Sequence, residues 1–480
     1  MSLLNNTKWV ALAQVIKVLC QITNLVVLAR LIPPNEYGLM AMAGVVVTLG
    51  FLFRDMGTSA AIIQKKELTN ELKNAVFWLN LVIGIILMII ILLSSNYVSI
   101  YFNQPKLTNI LILLSFTFPI VSIAAPHLAL LERDFQFKKV AIIESMSGLV
   151  ATFLAIIAAY NNFGVYSLVV QSLLNAFLSS FFIIRFSNWS PELRGYKFIK
   201  EIKAIFSFSK NLVAFNFVNY FYRNSDKWIL GKMVSASILG SYDLAYKIML
   251  FPLQTLTFVI GRALFPLLSN LQDNKTKFRE IFINTSVLIA LLCFPLMVCL
   301  MVLKKQFIEI VFGQQWSMVI PIIFWLAPVG MLQSIGSSTG VILTALGKTD
   351  ILFKLGALGS ILIFSSFLIS YYIGVDVISF TKYYFYANVL NFTIGVYVVC
   401  KVIDLNILDY FLSLYKIVIF CLIIYFFGFV FNSCFDESVL SFIFKILILI
   451  LIYMVLLILF FSKEISDVLK FLKISKVNQK

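Results

Sequence analysis

The chain has few groups that could react. It holds a single histidine, His127, which excludes a histidine-rich metal site, and six cysteines with no CxxC pair. Cys20, Cys293, Cys299, Cys400, Cys421 and Cys434 lie mostly inside apolar stretches, so they read as small core residues. No Gly-rich phosphate loop, paired loop carboxylates or nucleophile–histidine arrangement occurs, and the chain is read as no enzyme, with no metal and no cofactor. Charge is also scarce. Asp, Glu, Lys and Arg make up 12% of the 480 residues, about half of what a soluble domain carries. Such a chain cannot cover a water-facing surface.

What is present is apolar: 61% of the residues are hydrophobic. Stretches of about 20 such residues span a bilayer, and fourteen are expected. They fall near 9–32, 38–60, 73–95, 107–131, 139–160, 164–186, 204–232, 240–266, 282–303, 318–345, 351–373, 377–401, 409–431 and 440–461. The fold class is therefore an all-α polytopic membrane protein. The first stretch lacks the charged region, short apolar core and small-residue cleavage site of a leader, so it is expected to be retained. After the last, KEISDVLKFLKISKVNQK suits either an amphipathic helix on an anionic leaflet or a solvated tail.

The net charge of +16 sits in short clusters between apolar stretches, a pattern of membrane orientation and not of nucleic-acid binding. Lys65, Lys66 and Lys73, then Arg133, Lys138 and Lys139, then Arg185 to Lys203, Lys275 to Arg279, Lys348 and the tail all fall on one side if both termini are cytoplasmic. Lys304 and Lys305 are the main exceptions.

The chain repeats itself. LARLIPPNEYGLMAMA (Leu28 to Ala43) aligns without a gap on LGKMVSASILGSYDLA (Leu230 to Ala245), placing Arg30 on Lys232 and Gly38 on Gly240. LERDFQFKK (Leu131 to Lys139) matches LGKTDILFK (Leu346 to Lys354) at a slightly larger offset. Six helices per repeat give both halves one orientation, a parallel arrangement used by transporters. The expected domains are an N-terminal lobe (1–188), a cytoplasmic linker (189–203), a C-terminal lobe (204–405), two further helices (406–462) and the tail (463–480).

The repeat isolates a polar stripe. Gln14, Lys17, Gln21 and Asn24 share one face of helix 1, and the equivalent positions in helix 7 are Asn216, Asn219, Arg223 and Asp226. A charge at mid-membrane costs roughly 2.5–3.5 kcal/mol on insertion scales, so these side chains are expected to face a hydrated cavity. The alternative is that they join helices by hydrogen bonds. Arg54, Lys227, Lys247 and Arg262 extend the cationic set, although Arg54 and Arg262 also suit snorkelling to headgroups. Asp55, Asp226 and Asp243 are the carboxylates expected to couple an ion or act as counter-ions. Prolines 119, 126, 252, 295, 321 and 328 fit helices that bend. FNFVNYFY (Phe215 to Tyr222) and YYFYANVLN (Tyr383 to Asn391) offer rings for stacking on sugars or for the membrane interface.

LARLIPPNEYGLMAMA, FRDMGTSAAIIQKKELT, LLERDFQFKKVAIIE and NSDKWILGKMVSASILGSYDLAYKIMLFPLQ together resemble the Wzx-type polysaccharide flippases. These form the colanic-acid-exporter-like branch of the multidrug/oligosaccharidyl-lipid/polysaccharide exporter superfamily. The resemblance covers about residues 5–270. It implies two six-helix lobes that open alternately, and a substrate of undecaprenyl-diphosphate-linked oligosaccharide carried across the bacterial inner membrane. By position it marks Lys17 and Arg54 in the first lobe, and Arg223 and Arg262 in the second, as cations for the pyrophosphate. The expected binding set is Lys17, Gln21, Asn24, Arg54, Asn219, Arg223, Lys227, Lys247 and Arg262. Membrane lipids and the substrate are the expected partners, with the polysaccharide polymerase and chain-length regulator as candidates. The rival is a drug or cation exporter of the same superfamily, which should line its cavity with carboxylates.

Overall fold

The computed structural model describes residues 18–54, 58, 62–63, 68–192, 216–217, 220–221, 223–269 and 275–477, excluding the side chains of 255–269, 275 and 461–477. Lys17, Asp55 and Asn219 lie outside the described residues, and Arg262 is described by its backbone alone.

The chain is a polytopic, all-α membrane protein. Eleven helices among the described residues are long and apolar enough to cross a bilayer, and they match eleven of the fourteen predicted positions. We number them α2 (Pro34–Arg54), α3 (Asn70–Phe102), α4 (Lys106–Arg133), α5 (Phe137–Tyr160), α6 (Val165–Phe186), α9 (Lys275–Val302), α10 (Val319–Ala345), α11 (Thr349–Ile373), α12 (Val377–Val402), α13 (Ile407–Cys434) and α14 (Val439–Val477). The other three positions hold α1 (Val18–Leu31), α7 (described over 223–233) and α8 (Ala236–Ser269).

The exterior is that of a lipid-facing protein. Leu93 is 72% exposed, Leu440 80% and Leu459 67%, while Thr58, Asn80, Ser122 and Thr152 are buried. Large exposed aliphatics around buried polar groups suit a hydrocarbon solvent, with hydroxyls and amides joining helices inside. Thr58 Oγ1, for example, donates to Asn80 Oδ1 at 3.0 Å.

Local signals set the helix ends. Thr69 caps α3, its side chain accepting from the Leu72 N–H at 3.3 Å, and Asn103 ends the helix in the left-handed region with φ 52°. At 33 residues, α3 is roughly 50 Å long, well beyond the hydrocarbon thickness and beyond its predicted range. Gly164 (φ 54°) ends the α5–α6 turn where the Glu36 carboxylate approaches; a Cβ there would collide with it. Glu36 accepts from the Val165 N–H at the start of α6 and pairs with Lys106 at 3.4 Å. It thus fastens α2, α4 and α6 at the face that loop charges predict to be outer. The sequence left the tail after helix 14 open; α14 continues through it to Val477 without a break.

The chain divides into two compact units. The first holds α1–α7, the start of α8 through Asp243, and Phe367–Val377. Within it α2 and the start of α8 cross closely. A Cβ on Gly38 would fall on the Ala236 carbonyl oxygen, and one on Gly240 on that of Pro34. Neither position admits a side chain.

The second unit takes Leu244–Ser366 and the described residues from Ile378 on. Its core joins α9, α10, α12, α13 and α14. Phe282 stacks on Tyr410 with ring centroids 4.9 Å apart, and the Tyr410 hydroxyl donates to Ser286 Oγ at 3.2 Å. At its predicted outer end the Lys445 ammonium, 1% exposed, donates to Gln306 Oε1 (3.2 Å), Asn432 Oδ1 (3.2 Å) and the Phe435 carbonyl (3.4 Å). Gln306 belongs to a short helix, Lys304–Val311, between α9 and α10. That helix explains the two lysines on the predicted outer side. Lys305 pairs with Glu437 at 2.7 Å, and Lys304 lies 4.1 Å over the Phe324 ring.

Candidate functional site

The first unit holds a half-open cavity of about 700 Å³ among α1, α2, α4, α5 and α6. Its walls follow from helical spacing. Glu144, Gly148 and Thr152 on α5 are four residues apart, as are Gln171, Asn175 and Ser179 on α6, so each set shares a helix face. From Gln171 to Ile183 the cavity follows α6 for roughly 18 Å at 1.5 Å per residue, more than half the hydrocarbon thickness.

The two ends differ in chemistry. Arg54 and Glu132 close the helices α2 and α4 at the predicted inner end. Arg54 is half-buried, its guanidinium carbon 5.4 Å from the Phe51 ring centroid. Glu144 stands about 10 Å up α5 from its first residue. The deep end is uncharged: Asn24, Gln21, Thr152 and Gln171 meet there. Gln171 Nε2 donates to Thr152 Oγ1 at 3.0 Å, which fixes the amide orientation and leaves Gln171 Oε1 as an acceptor. Asn24 opens a π-helical turn, Asn24–Leu28, in α1, a distortion often found at functional positions. Its Oδ1 is buried and accepts no hydrogen bond among the described residues.

Of the predicted site residues, Gln21, Asn24 and Arg54 are thus brought together in one cavity. Asp226, Lys227 and Asp243 form a second group, at the α7–α8 turn. Lys227 Nζ pairs with Asp243 Oδ1 at 2.6 Å. Asp226 accepts from the Lys227 N–H at 2.8 Å and from the Tyr242 hydroxyl at 2.9 Å. Both carboxylates are buried, Asp226 3% and Asp243 1% exposed. Arg223 and Lys247 are exposed along α7 and α8. The aromatic run of α7 is partly committed to packing. The Tyr220 hydroxyl donates to the Val45 carbonyl at 2.7 Å and accepts from Trp228 Nε1 at 3.0 Å. In the second unit Tyr384 and Asn388 are engaged by Gln333 Nε2 at 3.0 and 3.2 Å.

Sequence reasoning did not find Glu144, Thr152, Gln171 or Asn175. Their four-residue spacing was the available signal, but α5 and α6 hold no stripe at equivalent repeat positions to draw attention to it. His127 takes no part in the cavity; it is buried beside Phe77 and Trp189.

The comparisons agree with this architecture. The lipopolysaccharide biosynthesis protein WzxC of Escherichia coli (strain K12) is 26% identical over 415 residues, covering 86% of this chain and 84% of that protein. The teichuronic acid biosynthesis protein TuaB of Bacillus subtilis (strain 168) is 26% identical over 420 residues, covering 86% of both. Among solved structures the lipid II flippase MurJ, in an inward closed conformation, superposes with a TM-score of 0.76. It is 15% identical and covers 95% of this chain and 99% of its own, which shows a shared fold. A family described as polysaccharide biosynthesis protein matches residues 27–321, and this chain, with its lipid-facing exterior and polar interior, belongs to that family.

Proposed function

We propose that the chain moves undecaprenyl-diphosphate-linked oligosaccharide units from the cytoplasmic to the periplasmic leaflet of the bacterial inner membrane, for assembly of O-antigen, capsule or exopolysaccharide. Both termini face the cytoplasm, and the lobes 1–188 and 204–405 open alternately to each side. The observation that carries the reading is a long cavity that places amides, hydroxyls, Arg54 and two carboxylates inside a bundle whose exterior is apolar. A diphosphate carries two negative charges that hydrocarbon would not solvate; a hydrated channel with a cation lowers that cost while the lipid tail stays in the bilayer. Lys17, Arg223, Lys247 and Arg262 would supply further positive charge along the path. Outward movement of an anion also runs with an inside-negative potential, worth about 2.3 kcal/mol per charge per 100 mV.

A second reading, an ion-coupled exporter of cations, draws on Glu132 and Glu144 in the same cavity. Deleting the gene and locating the lipid-linked oligosaccharide separates the two. Confinement to the cytoplasmic leaflet with loss of surface polysaccharide supports flipping. Unchanged lipid-linked units together with sensitivity to cationic drugs would support the exporter and defeat the flippase.

A further inference from the structure

Resting on the flippase reading, we infer that the deep end of the first-unit cavity is a carbohydrate subsite, which reads the sugar hydroxyls of the headgroup while the diphosphate stays near Arg54. Three observations support it. First, the cavity changes along its length from charged to neutral: Arg54, Glu132 and Glu144 toward the predicted inner end, amides and hydroxyls toward the other. A neutral polar wall suits neutral hydroxyls, because each amide or hydroxyl offers both donor and acceptor capacity, whereas a diphosphate would lose its water there without gaining a counter-charge.

Second, the groups at that end are held and incompletely used. The Thr152 hydroxyl fixes the Gln171 amide at 3.0 Å, Asn175 lies one turn further along the same face, and Asn24 Oδ1 is buried without a donor among the described residues. A buried acceptor lacking its donor is costly, and a ligand hydroxyl supplies one. Third, a cavity of about 700 Å³ lies within the range of sites for organic ligands and greatly exceeds what a single ion needs. The described lining offers amides and hydroxyls and no aromatic ring, a wall suited to the hydroxyl edges of a sugar.

The test uses the purified full-length chain in nanodiscs and two probes. One is the lipid-linked oligosaccharide extracted from the deletion strain; the other is undecaprenyl diphosphate without sugar. The wild type should bind the oligosaccharide-bearing lipid at least tenfold more tightly. Gln171→Leu and Asn175→Leu should each weaken that lipid about tenfold, the effect of a lost polar pair worth about 1.4 kcal/mol. Undecaprenyl diphosphate affinity should stay unchanged, which also verifies folding. Arg54→Gln should weaken both probes. Equal wild-type affinity for the two probes, or Leu variants that alter both or neither, would overturn the sugar subsite while leaving the flippase reading standing. Failure of the wild type to bind either probe would bring down the flippase reading and the subsite with it.

Discussion

Gly38 and Gly240, equivalent positions of the internal repeat, each lie against a backbone carbonyl of the other's helix: Gly38 against Ala236, Gly240 against Pro34. Pro34 and Ala236 are themselves equivalent in the repeat. The contact is therefore reciprocal, as across a two-fold axis, and a duplicated sequence is packed on its own duplicate. It lies at the predicted outer ends of α2 and α8, where the backbones approach as closely as small residues allow.

Filling that crossing should force the two helices apart. In a chain with its six cysteines replaced, Ser241→Cys, at a position only 1% exposed, should resist a membrane-impermeant thiol reagent applied from outside. Adding Gly38→Leu should raise its labelling severalfold, because a side chain there meets backbone that cannot rotate away. Unchanged protection would mean that the crossing repacks.

Lys227 and Asp243 should behave as a couple. Breaking a buried ion pair costs about 3–5 kcal/mol, so Lys227→Met and Asp243→Leu should each lower the melting temperature in detergent markedly. The double substitution should recover most of that loss together with transport. A stable but inactive double variant would instead make Asp243 a functional carboxylate.

Arg223 is exposed on α7, where a cation contributes little to packing. Arg223→Ala should reduce surface polysaccharide at least tenfold while membrane insertion and melting temperature stay at wild-type values. Normal polysaccharide in that strain would remove Arg223 from the translocation path.

The Lys445 ammonium has three oxygen acceptors, and Lys445→Met should cost about 1–3 kcal/mol by leaving the buried Gln306 oxygen without that donor. Limited proteolysis should then cut between α13 and α14 at a protease concentration several times lower than for the wild type. Equal resistance would show that Asn432 and Gln306 hold the turn by their bonds to Val302 and Asp436.

Much of the fold was legible because hydrocarbon imposes a length and a polarity that a sequence must display. The eleven spans found among the described residues, the internal repeat and one wall of the cavity, from Gln21 and Asn24, came from periodicity and repeat alone. The opposite wall did not. Thr152, Gln171 and Asn175 are uncharged, so each is an ordinary polar residue of a membrane helix until two helices bring them to one space. Lys227 was read as a cavity cation because its partner, Asp243, is supplied from beyond the α7–α8 turn, an ion pair that spacing along one helix does not reveal. The extent of α3 was missed because Thr69 and Asn103, outside the apolar run, mark its ends.

The position of Lys445 also bears on how the chain is made. Its helix is the most apolar of the eleven candidate spans, a surplus that offsets the cost of admitting a lysine near its predicted outer end. Of the three acceptors of Lys445, Asn432 and Phe435 precede it by 13 and 10 residues in the same hairpin, and only Gln306 comes from elsewhere in the chain. Until the last hairpin docks against the short helix beside α9, that charge has the Asn432 and Phe435 oxygens of its own hairpin but not Gln306 Oε1. A nascent chain stalled short of docking would therefore differ from the finished protein by a lysine lacking one of its three acceptors.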